Sequence, residues 1–418
     1  MASAARKLAL RVLRDVERGP DTLGDRLASD DVARLDPRDR AFLHELVLGT
    51  LRLRGPIDHA LQPLLDRPLA RVDRELLGVL RLGAHQILHL RVPARAAVAE
   101  AVDLARETRP RGAGFVNAVL RRLASVGAPA PPDPASDPLG WLGSAGSLPD
   151  WIARRWLARL GPEAAIARAR AALAAPPSTF RLNPQLPDAL QRVKQAGVEP
   201  EALELPGAYV ARAGRPSDLH AEGVLYLQDE NAQAIARLAA GRGVTLDACA
   251  APGGKTLLMA DLHRDAGDRV VAAEASGRRR ETLARLVARW GAPNVELVGA
   301  DAARPAFRPG AFDQLLLDAP CSGLGTLSRH PDLRWRARED DLPRQAERQG
   351  RMLRALLPLL RTGGRLVYAT CSTEPEENEG VVSAFVAECG LRLEPLPDWA
   401  EALSTARSGF FAAVLRRP

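Results

Sequence analysis

Lysine is nearly absent from this 418-residue chain: only Lys7, Lys194 and Lys255 occur, and the other 55 of its 58 basic residues are arginine. Cysteine is scarce too, with four residues, too few for a disulfide framework in a chain of this size. No apolar run reaches about 18 residues, so no membrane-spanning helix is expected. The opening Met1-Ala2-Ser3-Ala4-Ala5-Arg6-Lys7 leads into charged, periodic sequence instead of a long apolar stretch, so a signal peptide is not expected. Reduced thiols and a cytoplasmic location follow as expectations. No internal repeat is visible. There is no C-x-x-C pair, which argues against a zinc site and leaves no metal expected. There is no G-x-G-x-x-G either, which argues against a dinucleotide fold.

What is present starts with charge. The net charge is +7. Arginine, alanine and proline bias is what a GC-rich genome produces, so basicity alone says little. Its distribution says more. Residues 1–125 carry 22 basic against 16 acidic side chains, and the remainder 36 against 35. The surplus sits in the N-terminal part and favours a polyanionic partner there. A hydrophobic content of 46% is that of a globular protein.

Periodicity divides the chain. Leu8, Val12 and Val16 recur at helical spacing, as do Leu76, Leu80, Ile87 and Leu88, and Gly19-Pro20 and Asp36-Pro37 punctuate the elements. Residues 1–126 are therefore expected to form an all-α domain. Residues 127–150, with Pro129, Pro131, Pro132, Pro134 and Pro138 among glycines, read as a linker. Asp150 is placed to cap a helix carrying Trp151, Trp156 and Leu160, whose tryptophans read as core. Residues 151–242 read as a small α+β subdomain with strands at 179–182 and 223–227. From 243 to 418 strands and helices alternate: strands at 244–247, 269–274, 295–298, 314–317 and 365–368, helices at 255–262, 278–290 and 349–360. Such alternation implies a mostly parallel sheet with helices on both faces, which binds ligands beyond the carboxyl ends of its strands.

The chemistry-bearing residues fall at those ends. Cys249-Ala250-Ala251-Pro252-Gly253-Gly254-Lys255-Thr256 links a strand to a helix through glycines that let the backbone approach a ligand. A phosphate-binding G-x-x-x-x-G-K-T loop needs glycine where Cys249 stands, so that reading fails. Glu274, after the next strand, suits a pair of ribose hydroxyls, and Asp301, after the third, suits an adenine amino group. A nucleoside-bearing cofactor without a triphosphate grip is expected. Downstream lie Asp318-Ala319-Pro320-Cys321 and Ala369-Thr370-Cys371-Ser372. A thiolate is the nucleophile suited to adding reversibly to a pyrimidine ring, since sulfur both attacks and leaves readily. Two arbitrary cysteines would instead be small buried residues; Cys249 is read as part of its turn and Cys389 as core.

These segments, with Pro375-Glu376-Glu377-Asn378-Glu379, resemble the RsmB/NOP family of RNA cytosine-5 methyltransferases. Arg81-Leu82-Gly83-Ala84-His85-Gln86 and Gly114-Phe115-Val116-Asn117 are similar to the NusB-like RNA-binding domain found in that family, and Gly409-Phe410-Phe411 also matches. The resemblance covers nearly the whole chain. It implies an all-α NusB-like domain, a small α+β RNA-binding subdomain and a Rossmann-like α/β methyltransferase domain. S-adenosylmethionine is the implied cofactor, held by residues 249–255, Glu274, Asp301 and Asp318, and 16S ribosomal RNA with an unstacked cytosine is the implied partner, with the protein a monomer. It assigns Cys371 as nucleophile and Cys321 to product release. Asp318 would bond the N3 edge of the base, and Lys255 would meet the base or the carboxylates. Arg181 and Asn183 resemble the family's RNA-facing strand, while Arg329, His330 and Arg334, just beyond the Cys321 loop, are candidates for the RNA backbone. Glu274 stands where many relatives have Asp, and Ser408 precedes Gly409 where the family often has Asp. The same chemistry on tRNA, or a non-catalytic RNA-binding assembly factor, are the alternatives.

Overall fold

The computed structural model describes residues 2–19, 22–263, 267–406 and 408–418, with Arg18 described by its backbone alone. The chain forms two compact units, Met1–Ala175 with Leu327–Glu339, and Pro176–Thr326 with Asp340–Pro418.

The first unit is helical. Its helices include Ala4–Arg18, Pro37–Arg52, Arg54–Leu61, Arg74–His89, Ala94–Thr108 and Ala113–Val126. Their starts are written locally. Asp36 and Asp73 each accept two backbone N–H groups of the first turn, and Pro37 occupies the position where a missing N–H costs nothing. Their apolar stripes meet in one core that includes Val12, Leu46, Leu80, Leu82, Val116 and Leu120. Stretch 127–150 is packed against this unit: helix Pro138–Gly143 buries Trp141 and Leu142, and the Ser147 hydroxyl accepts the Gly55 N–H at 2.9 Å. Asp150 does not cap the next helix, Asp150–Leu173. It is the first helical residue, and its carboxylate pairs with Arg154 at 2.6 Å. Trp156 is buried in the core.

The second unit holds two sheets. A small antiparallel sheet contains β1 (Thr179–Leu182), β2 (Glu199–Ala202), β3 (Ala208–Ala213) and β4 (Leu225–Leu227) in the order β2-β3-β1-β4. The larger sheet contains β5 (Val244–Asp247), β6 (Arg269–Ala273), β7 (Val295–Val298), β8 (Phe312–Asp318), β9 (Leu360–Thr370), β10 (Arg392–Glu394) and β11 (Phe411–Arg416). Its order is β10-β11-β9-β8-β5-β6-β7. β7, β6, β5, β8 and β9 are parallel, and β11 and β10 extend the β9 edge antiparallel. Side chains alternate between two cores: Leu316, Val367 and Ala369 face one, Leu315, Leu317, Leu366 and Tyr368 the other. A strand buried on both faces needs consecutive apolar residues, which is what Leu315-Leu316-Leu317 supply in the middle of β8. The chain runs outward from β5 through β6 to β7, then returns to β8 on the other side of β5. The strand order therefore reverses between β5 and β8, the place where such sheets open a ligand crevice.

Candidate active site

Asp247 ends β5 and Asp318 ends β8, so both carboxylates sit at the crevice. After Asp247 the chain stays tied to the sheet: Ala248 N–H donates to Leu316 O at 2.9 Å and Ala250 N–H to Ala273 O at 3.0 Å. The turn then reverses at Gly253, whose φ of 116° lies in the left-handed region. A Cβ there would come within 2.5 Å of Leu283 Cδ1, so only glycine lets helix Gly254–Leu262 start here. Arg279 braces the turn by donating to Ala251 O at 2.6 Å.

The remaining acidic residues follow at successive strand ends. Glu274, just past β6, is 5% exposed and accepts the Ser276 N–H at 2.9 Å. Asp301, beyond β7, is exposed and accepts the Ala303 N–H at 2.9 Å. Asp247 accepts the Thr256 hydroxyl on Oδ2 at 2.6 Å, while Oδ1 is buried without a hydrogen-bond partner. Burial, with the nearby Asp318 charge, pushes the Asp247 carboxyl up to about 6. Burial and the charges of Asp247, Asp318 and Glu274 push the Cys249 thiol up to about 12, so this cysteine is an inert part of the turn. Acceptors at three strand ends around a glycine turn, one of them an unsatisfied buried oxygen, fit a ligand that brings hydroxyl and amino donors.

The sulfur site lies beside it. Cys321 Sγ and Cys371 Sγ are 3.2 Å apart, well beyond the roughly 2.05 Å of a disulfide, so both are free. β8 and β9 align Asp318 with Ala369, which carries the two chain segments past the sheet edge together. Ala319 N–H donates to Ala369 O at 2.8 Å, Gly325 N–H to Cys371 O at 3.0 Å, and Cys371 N–H to Cys321 Sγ at 3.3 Å. Lys255 Nζ reaches Asp318 Oδ2 at 2.7 Å. Burial alone would lower the Lys255 ammonium, but the Asp318 charge and hydrogen bond, with Cys371 and Asp247, raise it above its ordinary value. The hydrogen bond with Cys371, burial, and the charges of Cys371 and Glu377 push the Cys321 thiol well above its ordinary value. Either sulfur can donate the hydrogen bond between them. Among the described residues, no cluster of three metal-ligating side chains occurs.

Lys255, Asp318, Cys321 and Cys371 thus meet at one end of the sheet. Three residues expected to face RNA do not. Arg181 is 4% exposed and pairs with Asp261 at 2.6 Å, its guanidinium lying over the rings of Trp290 and Tyr226. Asn183 is buried and donates to Gly223 O at 2.9 Å. Arg334 has no exposed surface; it donates to the carbonyls of Arg52, Ser147, Ala172 and Leu327, stitching the 327–339 segment into the helical unit. All three are buried and bonded to protein groups, so RNA contact is withdrawn for all three. His330 is exposed and Arg329 partly so. The residues that sequence reasoning missed are Glu377, Ser322, Ser372 and Gln349, bonded to one another beneath the sulfurs. The available signal was that Glu377 lies in the family-like segment 375–379 and that Ser322 and Ser372 directly follow the two cysteines.

A crevice at the switch point of a parallel sheet, ringed by carboxylates and carrying two thiols, defines a Rossmann-like methyltransferase that uses S-adenosylmethionine. Residues 238–406 match the family described as 16S rRNA methyltransferase RsmB/F, and residues 3–125 match the NusB family. The chain is 34% identical over 366 residues to "Probable ribosomal RNA small subunit methyltransferase B" of Bacillus subtilis (strain 168), covering 85% of this chain and 81% of that one. It is 36% identical over 402 residues to "Ribosomal RNA small subunit methyltransferase B" of Pseudomonas putida, covering 91% and 88%. The crystal structure of PH0851 shares the fold, with a TM-score of 0.78 at 23% identity over 98% of this chain and 99% of that one. The chain belongs to the RsmB/F family of methyltransferases, with a NusB domain at its N-terminal end.

Proposed function

We propose that the protein methylates C5 of a cytosine in 16S ribosomal RNA, with Cys371 as the nucleophile that bonds to C6. The observation that carries this reading is the pair of free sulfurs 3.2 Å apart beside the Lys255–Asp318 pair. C5 of cytosine is a poor nucleophile, and covalent addition at the neighbouring carbon solves the problem by dividing the reaction.

Bound S-adenosylmethionine supplies an electrophilic methyl group, and residues 249–255 with Glu274, Asp301 and Asp318 are the groups that would hold it. Cys371 gives up its thiol proton to solvent and adds its sulfur to C6. The C5–C6 π pair moves toward C5 and, through C4, toward N3. The Lys255–Asp318 pair holds one proton beside the base and stabilises the charge that develops at N3. With Cys371 now bonded to carbon, its charge no longer disfavours a Cys321 thiolate, and only that of Glu377 remains. Cys321 releases its proton to solvent and takes the C5 proton once C5 carries its methyl. The C5–C6 double bond re-forms, the C6–sulfur bond breaks, and Cys371 leaves as a thiolate. The base must leave its stack to reach such a site, so a loop or partly single-stranded region of the RNA is the substrate.

The division of labour along the chain belongs to the same proposal. Residues 1–126, with their basic surplus, and 151–242 bind RNA; 127–150 connects them; 243–418 carries the chemistry. Arg329 and His330 remain the candidates for backbone contact. Methyl transfer from labelled S-adenosylmethionine to 16S rRNA, mapped by bisulfite sequencing, is the test. Cys371→Ala abolishes transfer and Cys321→Ala accumulates a covalent RNA adduct on a denaturing gel; full turnover by Cys371→Ala refutes the assignment. Methylation of tRNA alone would shift the substrate and not the chemistry.

A further inference from the structure

We propose that Glu377 is the positioning residue of the sulfur pair: its buried carboxylate latches the two cysteine turns together and sets a negative charge beside the Cys321 turn. This inference rests on the two-cysteine reading above.

The geometry is that of a latch. Glu377 lies between β9 and helix Glu379–Cys389 and has no exposed surface. Its Oε1 accepts the Ser322 N–H at 2.8 Å and Gln349 Nε2 at 3.2 Å. Its Oε2 accepts the hydroxyls of Ser322 and Ser372, each at 2.5 Å. Ser322 and Ser372 are the residues that directly follow Cys321 and Cys371. One carboxylate therefore grips both turns through the residue adjacent to each sulfur. Four donors converging on it suit a charged carboxylate, which accepts only. Tyr368 donates to the Glu377 carbonyl at 2.5 Å and ties the latch back to β9. Asn378 completes it: its Oδ1 accepts the Thr370 hydroxyl at 2.6 Å and its Nδ2 donates to Ser372 O at 3.0 Å.

The charges around the sulfurs are of opposite sign. The Lys255 ammonium interacts with Cys371. The Glu377 carboxylate interacts with Cys321 and disfavours its thiolate. The anion beside the Cys321 turn makes a thiolate harder to form on Cys321. Cys371 is thereby selected as the nucleophile, although both cysteines stand at strand ends and Pro320-Cys321 is as plausible a nucleophile context from sequence.

The test uses the full chain. Cys321 reactivity is followed by iodoacetamide alkylation against pH with peptide mass mapping, alongside single-turnover methyl transfer to 16S rRNA. Glu377→Gln lowers the alkylation midpoint of Cys321 by about one pH unit and slows methyl transfer roughly ten- to hundred-fold. Glu377→Asp keeps the charge and restores the midpoint, while its shorter arm leaves the rate low. A purely structural role for Glu377 would not move the midpoint. Glu377→Gln with wild-type midpoint and rate overturns the inference. If that variant fails to fold, Ser372→Ala removes one latch bond and slows transfer several-fold, and a wild-type rate there overturns the latch. Methyl transfer by Cys371→Ser, in contrast, sinks the two-cysteine reading whatever Glu377 does.

Discussion

Lys255 Nζ and Asp318 Oδ2 lie 2.7 Å apart, joining the helix after the glycine turn to the end of β8. Of the three lysines in the chain, this one is held at the site by a carboxylate. Lys255→Met removes the cation facing Cys371 and frees Asp318 of its partner. Single-turnover methyl transfer is expected to fall by roughly 100-fold or more. The sign of the pH effect follows from the raised Lys255 ammonium: it stays charged below its ordinary value and is lost only above it. Lys255 therefore imposes no loss of activity below about pH 10. A wild-type rate in Lys255→Met would remove the lysine from the chemistry.

Asp247 gives a stability signature. Its carboxyl is raised to about 6 by burial, so the folded chain holds a proton there that the unfolded chain has lost. The contribution is fully present below the unfolded value of about 4 and is lost as pH rises to about 6, a loss of roughly 3 kcal/mol. Asp247→Asn keeps the acceptor for Thr256 and cannot ionise. The urea midpoint of the wild type should fall between pH 4 and 6 more steeply than that of the variant. Parallel pH curves would show that Asp247 titrates normally.

Arg181 separates a structural pin from an RNA contact. Besides Asp261 it donates to Gln228 Oε1 at 3.1 Å and Gly254 O at 3.4 Å, so it fastens β1 to the first residue of helix Gly254–Leu262. Arg181→Met takes the Arg181 ion pair from the buried Asp261, which keeps the Trp290 Nε1–H at 3.0 Å, and is expected to cost about 3–5 kcal/mol. A second change, Asp261→Leu, should recover part of it. RNA affinity of the folded fraction should stay at the wild-type level. A folded, stable Arg181→Met that has lost RNA affinity would reinstate the surface role.

Which parts were legible follows from where their partners lie. β1, β5 and β7 coincide with the strands expected at 179–182, 244–247 and 295–298, because short stretches rich in β-branched and apolar residues bounded by turn residues are a local signal. β2 was invisible: Glu199-Pro200-Glu201-Ala202 is an exposed edge strand, which needs no apolar face and tolerates proline. The helix expected at 349–360 spans Asp341–Leu356, and β9 starts at Leu360, five residues before the expected strand. Thr362-Gly363-Gly364 reads as a break, while the ladder passes through it with a shift in register. Arg181 and Arg334 read as surface charges because their partners come from distant segments: Asp261 lies 80 positions from Arg181, and Ala172 lies 162 from Arg334. Glu377 stands out in the sequence only within the family-like segment 375–379, since Ser322, its closest tie to Cys321, is 55 positions away.

The last prediction concerns two glycines from distant parts of the catalytic unit. Gly325 sits in the short turn Leu324–Thr326 that follows Cys321, and its N–H donates to Cys371 O. A Cβ on Gly325 would lie 1.6 Å from Gly409 O, and one on Gly409 would lie 2.3 Å from Gly325 O. The two backbones touch with no room for a side chain on either. Gly409 also has a φ of 88°, and two residues later β11 pairs Phe411 with Thr370, the neighbour of Cys371. The C-terminal strand is thus a wall against which the Cys321 turn is set. Gly409→Ala meets both the clash and a left-handed backbone, the latter alone costing about 1–2 kcal/mol. Gly363→Ala is the control: its φ is 74°, but a Cβ there meets nothing within 4 Å. Both variants should lose thermal stability. Only Gly409→Ala and Gly325→Ala should also slow methyl transfer, because only they displace Cys321 from Cys371. Equal activity in Gly409→Ala and Gly363→Ala would show that the wall does not set the sulfur geometry.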